Sequence, residues 1–292
     1  MADNNINFNL ISLDGLGEFG KTLIEKLSNA VGWIATKGFP NRIALQTYIE
    51  GIQNSDYDPL LKAAMISGAQ KTITEYANQC NVVQFAINNL RKNARPQEID
   101  NDWISQLMDK ARLVSDSDFQ RIWGRILAEE CNAPGSIPRS LLHTLDRMDR
   151  KDAERFTALC SFSVLTRDND SPTFSPIIIQ KYLSEYYSGK GITFDALIDL
   201  QALGLIEVSV GPFKNEFCVY CSSESSKLHE VLYFDKQFII PDDIEELPVG
   251  NVIFTKTGQA LCRAIHPEQQ DDFFNKYCIP YWEEKFSEIR RK

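Results

Sequence analysis

Two adjacent glutamates, Glu129 and Glu130, are of a type that could support acid–base chemistry. Paired carboxylates can act as acid and base when burial separates their pKa values, and His143 follows them in the sequence. Neighbouring helix positions are about 100° apart, however, so the two side chains cannot easily face one site. We therefore expect one glutamate to hold the turn Asn132–Ser136, with Arg139 as a candidate partner, and we expect no catalytic residue here.

The spacing Cys218-x-x-Cys221 could belong to a metal or redox site. A structural zinc site needs four ligands, but the sequence has no second pair of this kind, and His229 is the nearest imidazole. In a β-strand the two cysteines would also point to opposite faces, which is awkward for chelation. We expect ordinary strand cysteines and no metal.

Other features also argue against an enzyme. The patterns HExxH and GxSxG do not occur, and the three histidines of the 292 residues form no recognisable pair. We expect a non-enzymatic protein without a cofactor, and an enzyme with an unrecognised site is the alternative.

A basic cluster precedes Pro96 and comprises Arg91, Lys92 and Arg95. These side chains could bind a phosphate or an acidic partner. Cations also favour the C-terminal end of a helix, so an ordinary helix end is the favoured interpretation and a phosphate or partner site is the alternative.

An apolar stripe with helical spacing runs from residue 13 to residue 34, interrupted by glycines. A glycine inside a helix costs roughly 1 kcal/mol relative to alanine, so this helix needs a surface that buries its stripe. The surface could be the protein's own core, a sister subunit or a bilayer, on which an amphipathic helix can lie. The candidate membrane or partner face comprises Leu13, Leu16, Phe19, Leu23, Ile24, Leu27, Val31 and Ile34.

A longer stripe predicts a helix from Leu60 to Leu90, with Asp58 before it as a cap. Helices of this length usually cross a bundle or form an arm in an oligomer. We therefore expect a homo-oligomer.

Four helices are predicted between Asp102 and Phe162, with capping signals at Ser115–Asp118 and at Asp149 and Asp152. Part of this stretch carries a recognisable pattern, formed by Asp102, Trp103, Trp123, Ile126, Leu127, Glu129, Glu130, Pro134, Gly135, Ser136, Leu145, Ala153 and Phe156. With these residues it resembles a bacterial family, domain of unknown function 2806, and it is more distantly similar to abortive-infection alpha proteins. The resemblance implies a bacterial cytosolic protein with a role in phage defence, and it supplies no activity.

Beyond residue 165 the order of predicted elements resembles a winged-helix domain. Two helices precede Leu203–Ile206, strands follow, and a helix after Thr255 and Gly258 closes the domain. The predicted strands are Ile206–Val210, Phe217–Tyr220, Val231–Ile240 and Val252–Phe254, and Ser171–Pro176 is predicted to be a linker or turn.

The second helix of this domain, Thr193–Leu203, is the one that would enter a DNA groove. It has two aspartates and no lysine or arginine, and residues 161–266 hold 8 basic and 14 acidic side chains. Phosphate and guanine contacts both favour cations. We therefore expect a module that contacts a protein partner, and a nucleic-acid-binding regulator is the alternative.

The composition is typical of a soluble globular protein, with 43% apolar residues, 24% charged residues and a net charge of −9. Seven scattered cysteines indicate a reducing cytosol, and no secretory signal or long apolar run is present. We expect a cytoplasmic protein, with peripheral contact at the inner membrane as an alternative.

These patterns together predict a mainly α fold with a smaller α+β part. A helical bundle is followed by a winged-helix-like domain and a terminal helix. The predicted segments are residues 1–40, an amphipathic segment with glycines; 41–165, the helical domain; 166–266, the winged-helix-like domain; and 267–292, the terminal helix. The predicted function is a self-associating scaffold in bacterial defence.

Overall fold

A computed structural model describes residues 16–35, 42–167, 172–176, 185–209, 217–220, 230–265 and 267–291. The chain divides into two compact units, residues 1–142 and residues 143–292, with the boundary inside one helix. Within the described residues, eleven α-helices and eight short strands give the mainly helical fold with a smaller sheet part that the sequence predicts. The four predicted segments stay a prediction.

The first unit is helical throughout its described residues. Its elements are α1 (Glu18–Val31), α2 (Arg42–Gln53), α3 (Pro59–Asn88), a 3-10 turn (Pro96–Glu98), α4 (Asn101–Ala111) and α5 (Ser117–Asn132). Helix α6 (Arg139–Arg147) crosses the unit boundary.

Side-chain caps explain where several helices begin. Asp58 accepts a hydrogen bond from Leu60 N at the start of α3, as predicted, and Asp100 accepts one from Trp103 N at the start of α4. The cap of α5 is Asp116, inside the predicted signal. Each cap satisfies an amide N–H that the helix itself leaves unpaired.

Helices α3 and α5 pack closely in the core of the first unit. Trp123 and Leu127 on α5 are buried. Gly124 follows Trp123 on α5, at the contact with α3. A Cβ added at Gly124 would lie 2.4 Å from Phe85 Cβ and 2.8 Å from Val82 O. Only a glycine therefore allows this approach of the two backbones.

The second unit combines short helices with strands. Its helices are α7 (Arg150–Cys160), α8 (Glu185–Ser188), α9 (Phe194–Ala202), α10 (Lys256–Ala264), a π-helical turn (Phe273–Cys278) and α11 (Ile279–Ile289). Its strands are β1 (Ser163–Arg167), β2 (Pro172–Pro176), β3 (Ile206–Val208), β4 (Phe217–Tyr220), β5 (Glu230–Tyr233), β6 (Lys236–Ile239), β7 (Glu246–Gly250) and β8 (Val252–Phe254). The capping box predicted at Asp149 and Asp152 is present at the start of α7.

An antiparallel four-stranded sheet has the order β2-β1-β5-β6, and the pairs β3–β8 and β4–β7 form two smaller sheets. Aromatic rings bury one face of the larger sheet: Tyr233 packs against Phe273 and Phe274, and Phe238 packs against Trp282. The hydroxyl of Tyr233 donates a hydrogen bond to Ser161 O at 2.7 Å. This face contributes to the core of the second unit.

Two predictions about strands are wrong. The predicted linker Ser171–Pro176 contains strand β2, and the single strand predicted over Val231–Ile240 is a hairpin, β5 and β6, with Phe234 and Asp235 in its turn. The prolines of β2 are tolerated because β2 lies at a sheet edge. The hairpin of β5 and β6 turns without a glycine because Phe234 itself adopts a positive φ of 52°.

Candidate interaction surfaces

The predicted N-terminal face lies mostly inside the first unit. Leu23, Ile24 and Leu27 are buried, where α1 contacts α3, α4 and the 3-10 turn. Ile34 is 68% exposed, and Leu13 lies outside the described residues. The half-buried members are Leu16, Phe19 and Val31. A bilayer could contact the buried leucines only if α1 left this position.

A cavity of about 470 Å³ lies beside the end of α1 and is lined in part by Trp33, Tyr76 and Arg112. The two rings stack 5.9 Å apart, and the Tyr76 hydroxyl donates to Ile34 O. The Arg112 guanidinium donates to Asp109 at 2.9 Å and to Glu75 at 2.8 Å. These hydrogen bonds raise its pKa, that to Asp109 most. The cation is therefore already neutralised by protein carboxylates.

The segment Gly15–Thr22, GLGEFGKT, has the spacing of a phosphate-binding loop, and the expectations from the sequence overlooked it. Such a loop must wrap around the phosphates before its helix begins. Here α1 begins at Glu18, so Gly20 is already helical and buried, and a Cβ added there would lie 3.4 Å from Ile87 Cγ2. The Thr22 hydroxyl donates to Glu18 O within the same helix. Gly15, the first glycine of the motif, lies outside the described residues, and residues 18–22 are helical instead of forming a loop.

The basic cluster is largely neutralised. Arg91 pairs with Glu129 at 2.7 Å, and Arg95 pairs with Glu98 at 2.8 Å. Lys92 is exposed and makes no ion pair within the part of the chain that the structure describes. The proposed phosphate patch therefore offers one cation that is not already paired.

The two glutamates at the end of α5 have separate structural roles. Glu129 pairs with Arg91, whereas Glu130 is 2% exposed and accepts hydrogen bonds from Gly135 N at 2.7 Å and Ile137 N at 2.9 Å. Burial raises the pKa of the Glu130 carboxyl, and the amide hydrogen bonds partly oppose this. The predicted role in holding the turn is confirmed. The predicted partner is wrong, because Arg139 pairs with the α4 cap Asp100 at 2.6 Å.

The cysteine motif has no metal-binding geometry that can be described. Cys218 lies on β4, and Cys221 and His229 lie outside the described residues. Among the residues that the structure does describe, no group of three or more His, Cys, Asp or Glu side chains could hold a metal ion.

Helix α9 presents a mixed surface. Phe194 and Ile198 are 44% and 40% exposed, and Asp195 lies beside them. Asp199 forms an ion pair with Arg155 of α7. The only formal charges on this helix are negative.

Among the described residues, four of the exposed large apolar side chains lie on the arm, which we define as residues 42–76, comprising α2 and the first half of α3. Tyr48, Tyr57, Leu60 and Leu61 are 52%, 51%, 78% and 48% exposed. All buried residues of α3 lie at Ala77 or beyond. The first half of this helix therefore leaves Leu60 and Leu61 at the surface, whereas Met65, Ile66 and Ile73 are half-buried.

No helix in the described parts of the chain has the length and apolar character needed to span a bilayer. No curated protein and no solved structure matches the chain. A family model with the description "Protein of unknown function (DUF2806)" matches residues 68–278, from within the first half of α3 to the end of the π-helical turn. Since this match covers most of the 292 residues, the chain belongs to the DUF2806 family of proteins of unknown function.

Proposed function

We propose that this protein is a non-enzymatic scaffold that associates with itself through the arm and contacts a protein partner through its C-terminal unit. The observation that carries self-association is the exposure of Leu60 and Leu61 on a helix whose first half buries none of its residues. Contiguous apolar patches on a soluble protein usually mark an interaction site.

The shape of the arm suits pairing with a second copy. Leu60, Ala64 and Gly68 are exposed at helical spacing, and an added Cβ at Gly68 would meet nothing within 4 Å. Two such helix pairs can pack antiparallel as a four-helix bundle, in which the same patch is used by both copies.

Charge also favours the arm as the place of contact. The whole chain carries −9, and two copies therefore repel each other at long range. The arm holds three basic and four acidic side chains, so it is nearly neutral. Two copies can approach there with little repulsion.

Sedimentation velocity of the wild type and of the double variant Leu60→Glu, Leu61→Glu tests this proposal. We expect the wild type to associate and the variant to bind itself at least about tenfold more weakly, a loss of roughly 1.4 kcal/mol, because charges would have to be buried. Circular dichroism should be unchanged.

Leu113→Glu is the matched control, because Leu113 is 61% exposed in the same unit but lies outside the arm. A wild type that stays monomeric at the highest soluble concentration contradicts self-association. Equal weakening by the control would show that the arm is not the contact.

The partner-binding part of the proposal is supported by the C-terminal unit, which we propose to be a winged-helix-like module. Helices α8 and α9, the β3–β8 pair and α10 follow in the expected order. The Thr255 hydroxyl caps α10 and donates to Gly204 O at 2.6 Å. The acidic surface of α9 favours a protein over a nucleic acid as the partner.

The proposed setting is phage defence in the bacterial cytoplasm, which is suggested by the resemblance to abortive-infection alpha proteins. Peripheral contact of α1 with the inner membrane stays a prediction. Plaque counts on bacteria that carry the wild type or the arm variant test the setting. Protection that requires an intact arm would support both parts, and no protection by the wild type would contradict the defence role.

A further inference from the structure

The two edges of the four-stranded sheet differ in their protection. One edge strand, β2, begins with Pro172 and ends with Pro176, whereas the other, β6, contains no proline. Proline at a sheet edge blocks the addition of another strand, because it lacks the N–H that a new strand would need. The β6 edge lacks this protection.

The backbone of β6 is oriented for strand addition. Tyr233 lies opposite Lys236 around a two-residue turn, so the backbone groups of Gln237 and Ile239 point away from β5. Neither residue makes a backbone hydrogen bond beyond the β5 ladder in the described chain. The Phe238 side chain of β6 packs on Trp282 and Phe286, and these contacts hold the strand in place.

Exposed apolar side chains lie at both ends of this edge. Ile239 is 71% exposed, and Phe234 in the turn is 50% exposed. Phe234 has a φ of 52°. This backbone conformation is unfavourable for any residue with a Cβ, whereas glycine adopts it freely. The chain therefore keeps a large aromatic side chain at the surface in a strained conformation, an arrangement typical of functional positions.

The chain segment that contains β6 is acidic, which favours a basic partner. Residues 230–246 contain six acidic side chains and one lysine. One of these acids, Asp243, is paired with Arg290. The lysine, Lys236, donates a hydrogen bond to the Asp271 carbonyl oxygen. A second copy would bring the same acids to the contact, whereas a basic segment would be attracted.

We propose that β6 accepts an extended, basic segment of a partner protein as a fifth strand, held by the backbone of Gln237 and Ile239 and by apolar contacts with Ile239 and Phe234. This inference deepens the partner-binding part of the proposed function and does not depend on the arm. Strand addition of this kind takes its affinity from backbone hydrogen bonds and its specificity from alternate side chains.

Fluorescence anisotropy with labelled peptides tests the proposal on the full chain. The probe is a short peptide that alternates valine and lysine. We expect it to bind, and we expect a peptide with glutamate in place of lysine, or with N-methylated amides, to bind at least about tenfold more weakly. No binding of the lysine peptide, or equal binding of either comparison peptide, would overturn the proposal.

Two substitutions at Ile239 separate backbone from side chain. Ile239→Pro removes an N–H that points away from β5, so the hairpin keeps its ladder while peptide binding is lost. Ile239→Thr keeps the N–H and should retain most of the binding. Equal effects of the two substitutions, with both proteins folded by circular dichroism, would overturn strand addition.

Phe234→Gly gives an independent result, because it should raise the Tm by relieving the positive φ and yet weaken peptide binding several-fold. Unchanged binding would remove Phe234 from the site. If instead the chain forms dimers that Ile239→Pro dissolves, the occupant of β6 is a second copy, and the proposed basic partner is wrong. Failure of peptide binding would leave self-association of the arm, measured by sedimentation, unaffected.

Discussion

Glu130 illustrates how a single carboxylate can be kept almost out of water. Its two oxygens accept hydrogen bonds from the backbone amides of Gly135 and Ile137. These bonds satisfy the buried carboxyl and also fix the turn after α5. Its raised pKa has burial as the main cause. Ionisation of this buried carboxyl therefore lowers the free energy of unfolding, although the two hydrogen bonds to the turn partly offset the loss.

We expect Glu130→Gln to destabilise the chain by about 1–3 kcal/mol, because the amide group cannot accept both backbone hydrogens. The difference should depend on pH. An unfolded glutamate has a pKa of about 4.3, and Glu130 has a higher one when folded. The folded state therefore binds the proton more tightly, and this contribution is lost as pH rises through the folded pKa.

Thermal melts of both proteins from about pH 4 to pH 8 measure this effect, since all other carboxylates are shared and cancel. The Tm advantage of the wild type should shrink as pH rises. An advantage that grows with pH would show that the folded pKa of Glu130 is lowered instead.

At the scale of residues, the sequence predicts contacts between residues close in the chain better than contacts between distant residues. The turn after α5 and its glutamate are visible in the sequence, because both lie within a few residues of each other. The pairing of Arg139 with Asp100 spans 39 positions and depends on how α4 and α6 come together. The Gly15–Thr22 spacing shows that a local motif can also mislead, since its residues from Glu18 onward are part of α1.

At the scale of elements, the contact between α3 and α5 makes a sharp prediction. Gly124→Ala should cost about 1–3 kcal/mol in urea unfolding, because the new methyl group would overlap Phe85 and the Val82 carbonyl. Gly51→Ala in α2 is the control, because nothing lies within 4 Å of its added Cβ. That substitution should stabilise the chain by up to about 1 kcal/mol. Similar free energies of unfolding for the two variants would contradict the close packing of α3 and α5.

Helices were predictable here and short strands were less so. The helices have apolar stripes and capping aspartates such as Asp58 and Asp149, which are local signals. Strand β2 is bounded by prolines, which indicate a linker until a neighbouring strand is known. The turn at Phe234 contains no glycine or asparagine, so nothing in its sequence indicates a hairpin.

At the scale of the whole molecule, the uneven distribution of charge predicts opposite salt effects on the two proposed contacts. Residues 143–292 carry −7 of the total −9. Salt screens repulsion between two copies, so self-association of the arm should tighten between about 20 and 300 mM salt. Binding of the basic peptide to β6 should weaken over the same range, because the attraction is screened as well.

Sedimentation velocity and peptide titration at the two salt concentrations check these directions. If both contacts respond to salt in the same direction, one of the two assignments of charge is wrong. The Leu60→Glu, Leu61→Glu variant serves as a control for the first measurement and should bind the peptide normally.

Helix α3 continues without interruption from the arm into the part of the chain that the family model matches. An α-helix turns by about 100° with each residue, so the direction in which Leu60 faces is set by the number of residues between it and Ala77. One inserted residue would swing the exposed leucines by more than a quarter turn, whereas seven would nearly restore their direction. If two copies associate through the arm as proposed, the angle between them is set by a residue count within one helix, and not by a hinge or a loop.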